Sequence, residues 1–395
     1  MKKNKRYKED ISSINDSSIF DHFDETPTEQ LSYVEEEKED YDVYSIMEQP
    51  FNPKDIDIQA KTLAMYNIIQ RLKEDEIDLS PNFQRKKDLW DSKTQSRLIE
   101  SLLINFPLPA FYFDGTNDEK WLVVDGLQRL SSIKNFVVTE ELVLSGMEFL
   151  DDLNGKHYSE LSRMHQRQIN EAEIIAYIIN PGTPPDVKFN IFKRINTGGL
   201  VLSPQEIRHA LNQGKPAEFV SQLAENEYFK KATGGLDTKR MLDREFVTRF
   251  LAFYIHSPNE YKPDMDTFMN RTMEQLKGIS KNELDHISYS FTEAMKLSID
   301  VFGMWAFRKI YNKSDRRSPI NKALFEVWSV IFAKLADVQR EVVRQKRNEL
   351  FEGFVQLLNS DKAFNDAIST STGSKSRVLE RFEKVEHLVD RVIYD

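Results

Sequence analysis

The sequence predicts a mixed α+β chain, with an α/β part first and an all-helical part after it. Three observations carry this. Short apolar runs rich in β-branched and aromatic residues, such as Ala110-Phe111-Tyr112-Phe113, Trp121-Leu122-Val123-Val124 and Glu173 to Ile179, all precede residue 215. Beyond residue 215 the apolar spacing is helical throughout. Between Val124 and Leu127 the pair Asp125-Gly126 stops one apolar run, and a helical pattern over Leu127 to Phe136 begins.

The elements follow in order. Lys61 to Lys73 carries Leu63, Ile68, Ile69 and Leu72 at roughly helical spacing. Ile77-Asp78-Leu79 is a short strand stopped by Ser80-Pro81. Ser92 is read as the N-cap of a helix with Leu98, Leu102 and Leu103 on one face, ended by Phe106-Pro107-Leu108-Pro109. Asp114-Gly115-Thr116-Asn117 turns the strand at 110–113 back into the one at 121–124. Leu142 to Leu144 and Glu173 to Ile179 are further strands. Pro181 to Pro185 turns into a helix at about Asp186. Ser203-Pro204 with Glu206 has the spacing of a capping box, with Pro at the first helical position. The helical part reads as segments 216–229, 241–256, 264–277, 281–300, 319–357 (in two pieces) and 375–393.

Three regions result: an acidic leader at 1–50, a mixed part at 51–215 and a helical part at 216–395. The leader holds 6 Lys/Arg against 14 Asp/Glu, which favours disorder. Its sharper reading is an acidic segment that folds back over a basic groove or recruits a partner. The remaining 48 basic and 50 acidic residues nearly balance, so the acidic total says little against an anion-binding cleft. The absence of Cys excludes disulfides and thiol chemistry, and suits a cytoplasmic location. The basic start Met1-Lys2-Lys3 is not followed by a signal-peptide core, and no apolar run approaches the ~18 residues of a membrane span.

The chemistry is expected at Asp125-Gly126-Leu127-Gln128-Arg129. Gly lets backbone approach a phosphate, Arg offers a planar donor fork, and Asp could orient that Arg or a hydrated Mg²⁺. As a purely structural turn, the Arg would pair with a nearby carboxylate. A second donor-rich stretch is Lys193-Arg194-Ile195-Asn196-Thr197-Gly198-Gly199, which also fits a simple helix end. Arg85 in Asn82-Phe83-Gln84-Arg85, followed by Trp90, could reach the same cleft or pair with Asp88 or Asp91. Arg208 is a candidate anchor of its helix to the first part, and Lys375-Ser376-Arg377 a solvated helix start or a basic group for the cleft. The seven His lack metal-ligand spacing, and neither a Gly-Lys-Ser/Thr phosphate loop nor a Gly-x-Ser-x-Gly elbow is present.

Taken together, Phe83-Gln84-Arg85 with Trp90, Phe106 to Pro109, the Asp125–Arg129 box, Phe192 to Gly199 and Leu202-Ser203-Pro204-Gln205-Glu206-x-Arg208 occur in one order. That order resembles the bacterial family catalogued as domain of unknown function 262. It is similar to the N-terminal portion of GmrSD-type and Ssp-type DNA-modification-dependent defence proteins. The resemblance spans about residues 55–215 and implies a ParB/sulfiredoxin-like α/β domain with the box at a nucleotide-phosphate site. Position 127 is Leu where the commonest box has Gln, and nothing after residue 215 resembles the His-Asn-His nuclease that DNA-cutting relatives carry.

The expected function is therefore a nucleotide-binding protein, an NTPase switch dependent on Mg²⁺, in an anti-phage or DNA-transaction system. Asp125, Gln128 and Arg129 are the candidate catalytic residues, with Asp125 also the metal candidate. Arg85, Gly126, Arg129, Lys193, Arg194, Asn196, Thr197 and Gly198 are the candidate nucleotide contacts. The expected ligand is an NTP of unspecified base. DNA, a separate effector or nuclease protein, and further copies of the chain are candidate partners, and no membrane is expected. The alternatives are a DNA-binding or nicking protein using the same basic cleft, and a non-enzymatic interaction scaffold.

Overall fold

A computed structural model describes residues 33–35, 53–79, 90–195, 202–312, 314 and 316–395. It is a mixed α+β structure, with a small sheet in the N-terminal region and a largely helical C-terminal part.

The N-terminal region runs β1 (Ile58–Ala64), α1 (Met65–Lys73), β2 (Ile77–Asp78), α2 (Ser92–Leu103), β3 (Phe111–Asp114), β4 (Trp121–Asp125), α3 (Leu127–Ile133), α4 (Arg163–Glu171), β5 (Glu173–Ile179), α5 (Pro185–Ile195) and α6 (Pro204–Leu211). The five strands are ordered β1-β5-β3-β4-β2. Pairing is mixed: β1 with β5 and β3 with β4 antiparallel, β3 with β5 and β4 with β2 parallel.

Strand alternation gives the sheet two apolar faces. Phe111, Phe113, Val123, Ala176 and Ile178 face α1, α2, α3 and α4. Tyr112, Leu122, Val124 and Ile179 meet Val187, Phe189, Ile191 and Phe192 of α5 and Ile207 of α6.

The helical part contains α7 (Lys215–Ala224), α8 (Glu227–Thr233), α9 (Leu242–Ile255), α10 (Met265–Leu276), α11 (Lys281–Phe302), α12 (Lys322–Lys334), α13 (Asp337–Gln345), α14 (Arg347–Ser360), α15 (Lys362–Ala367) and α16 (Lys375–Tyr394). Its aromatic-rich core is separate from those of the sheet. Buried charge also links its helices. Glu326 of α12 accepts from Arg249 of α9 at 2.6 Å and from Arg381 of α16. No helix among the described residues is long and apolar enough to cross a membrane.

Five local expectations need correction. Residues 61–64 belong to β1, not to a helix. Polar Gln59, Lys61 and Thr62 mask the strand signal, because β1 is an edge strand with little to bury. The N-cap of α2 is Asp91, whose carboxylate accepts from Thr94 N–H at 2.8 Å, rather than Ser92. Leu142 and Leu144 are buried alternately as in a strand, but form none. Leu144 exchanges backbone bonds with Gly155 and Lys156 in a loop beside α2. Residues 216–229 split into α7 and α8 at the Asn226 cap, and 319–357 holds three helices where two were expected.

Candidate functional site

β4 ends in a register shift. Phe113 pairs with Val123 but Tyr112 pairs with Asp125, leaving Val124 as the extra residue. Such a bulge re-aims the side chain that follows it. Asp125 thereby lies beside Tyr112, which stacks on Tyr177 of β5 with ring centroids 4.8 Å apart. Burial, then Tyr177 and Asp125, push the Tyr112 phenol above its ordinary value.

Gly126 makes the turn. Its φ of 102° lies in the left-handed region, and it is buried against the Phe111 ring. α3 starts at once and runs on through a π-helical turn at Lys134–Val138. Leu127 packs on the sheet core.

Arg129 turns inward. It donates to the Pro109 carbonyl, to the Ala110 carbonyl at 3.1 Å and to Asp125 Oδ2 at 2.7 Å. Its guanidinium lies 4.3 Å from the centroid of Phe111, an added cation–π contact. Burial lowers its pKa, and Asp125 opposes that shift. The box thus clamps the start of β3 to the end of β4.

Gln128 faces the other way. Its Oε1 accepts from Trp90 N–H at 3.4 Å. Trp90 in turn accepts at its carbonyl from Gln95 of α2 at 2.8 Å. This fixes Trp90 beside the box. β2 runs parallel to β4, so Leu79 leaves the sheet toward that same end. Arg85 itself lies outside the described residues.

The third motif arrives over the opposite face. α5 follows β5 and packs back across the sheet. Its eleven residues carry the chain roughly 16 Å, enough to return it to the Asp125 end. Arg194 is exposed in its last turn. Lys193 pairs with Asp266 of α10 at 3.0 Å. Asn196, Thr197 and Gly198 lie outside the described residues. Ile195 and Leu202, which flank them, both pack against the Val124 cluster.

α6 then locks the sheet region to the helical part. The expected capping box is present, with Ser203 and Glu206 each bonded to the other's backbone. Six of its eight residues are buried. Arg208 is wholly buried and donates to Asn270 at 2.9 Å, Gln205 at 2.6 Å and Asp266 at 2.8 Å. It therefore anchors α6 to α10 of the helical part, where an anchor to the first part was expected. Arg377 pairs within the helical part, 3.8 Å from Asp366.

Among the described residues no group of three or more His, Asp or Glu could by itself hold a metal ion. A Mg²⁺ held mainly by phosphate oxygens and water needs only one or two carboxylates. Asp125 fits that limited demand, although Oδ2 is engaged by Arg129.

Sheet end, flanks and α6 all belong to one continuous stretch, and that stretch has a match. Residues 65–212 match the family model described as GmrSD restriction endonuclease, N-terminal domain. No curated protein and no solved structure matches the chain. The GmrSD-like stretch opens at Met65, the first residue of α1, and closes at Asn212, just after α6. It contains the box, Trp90, Lys193, Arg194 and Arg208, and omits β1 and the helices from α7 onward. Sequence reasoning passed over Tyr112 and Tyr177 as neighbours of Asp125. Both were placed in strands, but a periodic pattern alone does not say which face carries a ligand.

Proposed function

We propose that this chain is a nucleotide-binding component of a restriction-type system directed at foreign DNA, with the nucleotide held at the Asp125 end of the sheet. The observation that carries this is convergence. Ile195 and Leu202, which flank the Asn196–Gly198 motif, pack with Val124, the residue before the Asp125-Gly126-Leu127-Gln128-Arg129 turn, and Gln128 of that turn holds Trp90, which supports one site for these motifs. The ParB/sulfiredoxin-like reading of this region rests on the same motifs.

The roles differ from those of a simple arginine clamp. Arg129 holds the turn by its carbonyl and Asp125 bonds, while Arg85, Arg194 and Gln128 supply contacts to phosphate. Tyr112 and Tyr177 offer a stacked aromatic pair beside Asp125. Mg²⁺, when bound with the nucleotide, supplies charge neutralisation at the phosphates, with Asp125 as its protein ligand. Binding is the claim. Hydrolysis would need Gln128 to orient water.

Calorimetric titration of the full chain with ATP, GTP, CTP and UTP in Mg²⁺ tests it. One nucleotide is expected to bind, with affinity reduced tenfold or more by Gln128→Ala and by Arg194→Ala. Absence of heat for all of them would overturn the proposal.

One observation favours a second reading, the interaction scaffold. The Arg129 donors point at protein acceptors. A scaffold predicts that Asp125→Ala and Arg129→Ala lose stability while the wild-type protein takes up no nucleotide.

A further inference from the structure

A segment of the acidic leader is seated on the helical part. Val34 forms a parallel bridge to Ile320, with Ile320 N–H donating to the Tyr33 carbonyl at 2.9 Å and Glu35 N–H to the Ile320 carbonyl at 2.7 Å. Ile320 is bridged on its other side to Arg308. The leader therefore adds an edge to a minimal ladder, the usual way an extended peptide is bound.

The seat also has a socket for one side chain. Both carboxylate oxygens of Glu35 are engaged, Oε1 by Lys309 Nζ at 2.6 Å and Oε2 by Asn321 Nδ2 at 3.0 Å. Each of those donors is fixed in turn. Lys309 also reaches Ser369 Oγ at 2.8 Å. Asn321 caps α12 through Leu324 N–H at 2.8 Å and donates to the Ile368 carbonyl at 2.7 Å. Val34 packs against the helical core, whereas Tyr33 is 84 % exposed and adds no anchor.

We propose that this seat is a binding site for an extended acidic peptide, a β-branched residue followed by glutamate, and that Tyr33-Val34-Glu35 is its occupant in cis. The site latches the acidic leader to the helical part. It does not depend on the nucleotide reading, since no residue of the Asp125 end takes part. An opened latch would accept the same sequence in trans.

The test uses the full-length chain and a fluorescent synthetic peptide of residues 28–40. Wild type is expected to bind it weakly, because its own segment fills the seat. Glu35→Ala is expected to bind it at least tenfold more tightly, and Lys309→Glu in that background to abolish the gain. The double reversal Glu35→Lys with Lys309→Glu is expected to return the leader to wild-type resistance in limited proteolysis, a readout that a merely unfolded variant would fail. Equal peptide affinity for wild type and Glu35→Ala would overturn the proposal. So would a dimer in light scattering that dissociates on Glu35→Ala, because the occupant would then come from a second copy.

Discussion

A methyl group added at Gly126 would lie 2.5 Å from Cδ1 of Phe111, closer than carbon atoms can approach. The glycine that marks the box is thus required by the fold, whatever it does for a ligand. Left-handed backbone costs a side chain about 1–2 kcal/mol and overpacking about 1–3 kcal/mol, so Gly126→Ala should destabilise by roughly 2–5 kcal/mol in denaturant titration. Wild-type stability in that variant would show that the turn relaxes at little cost.

Arg129→Lys keeps the charge but not the planar fork that spans two carbonyls and a carboxylate. At about 1–3 kcal/mol for a buried acceptor left unpaired, a loss of roughly 2–3 kcal/mol is expected. An unchanged unfolding midpoint would mean that the guanidinium does not bracket β3 and β4.

Asp266 serves Arg208 at 2.8 Å and Lys193 at 3.0 Å, and so joins α5 and α6 to α10. Asp266 is half-buried, so Asp266→Asn should cost less than the ~3–5 kcal/mol of a fully buried pair, roughly 1–3 kcal/mol, because Arg208 keeps Asn270 and Gln205. Burial alone would raise the Asp266 pKa, but Arg208 and Lys193 hold it below the usual carboxylate value. Its contribution is therefore complete above the unfolded pKa and lost as pH falls through the folded one. Acid unfolding of Asp266→Asn should lack that component.

His209 of α6 is buried near Arg244, whose Nη1 lies 3.5 Å from Nε2. Burial first, and the Arg244 charge second, lower its pKa from 6.5 to about 4. The unfolded chain binds the proton more readily, so stability should fall as pH drops from about 6.5 to about 4, by roughly 2–4 kcal/mol. His209→Gln should flatten the stability–pH curve across that window. The same slope in wild type and variant would rule His209 out as its source.

Glu100 of α2 is buried, and its carboxylate accepts the backbone N–H groups of Glu148, Phe149 and Leu150 at 2.7–3.0 Å. Burial opposes ionisation, yet these bonds hold its pKa below the ordinary value. Glu100→Gln turns an amide toward donors, and at about 1.5–3 kcal/mol per charge-assisted bond it should cost at least roughly 2 kcal/mol. Faster amide exchange at 148–150 is the expected local sign, and unchanged exchange would contradict the pinning role.

Much of the fold was legible because its signals are local. The Trp121–Val124 run, its break at Gly126 and the Ser203–Glu206 capping box each act within a few residues. β1 was not legible, because its partner β5 lies more than a hundred residues away and its exposed face carries polar residues. The Leu142–Leu144 alternation misled for the opposite reason. Its pattern is that of a half-buried strand, but no strand lies beside it to pair with.

Local pattern was enough to divide strand-forming from helical sequence and to mark the motifs that the GmrSD-like match contains. These follow from periodicity, turn chemistry and capping, which depend on near neighbours. Where each motif's side chains go is set by long-range contacts. Arg129 turns into the protein, where the Pro109 and Ala110 carbonyls of the segment leading into β3 accept its donors. Lys193 goes to Asp266 and Glu35 to Lys309, pairs separated by 73 and 274 residues in the chain. Such choices are set by which buried acceptors and charges the folded chain brings within reach, and no local pattern encodes them.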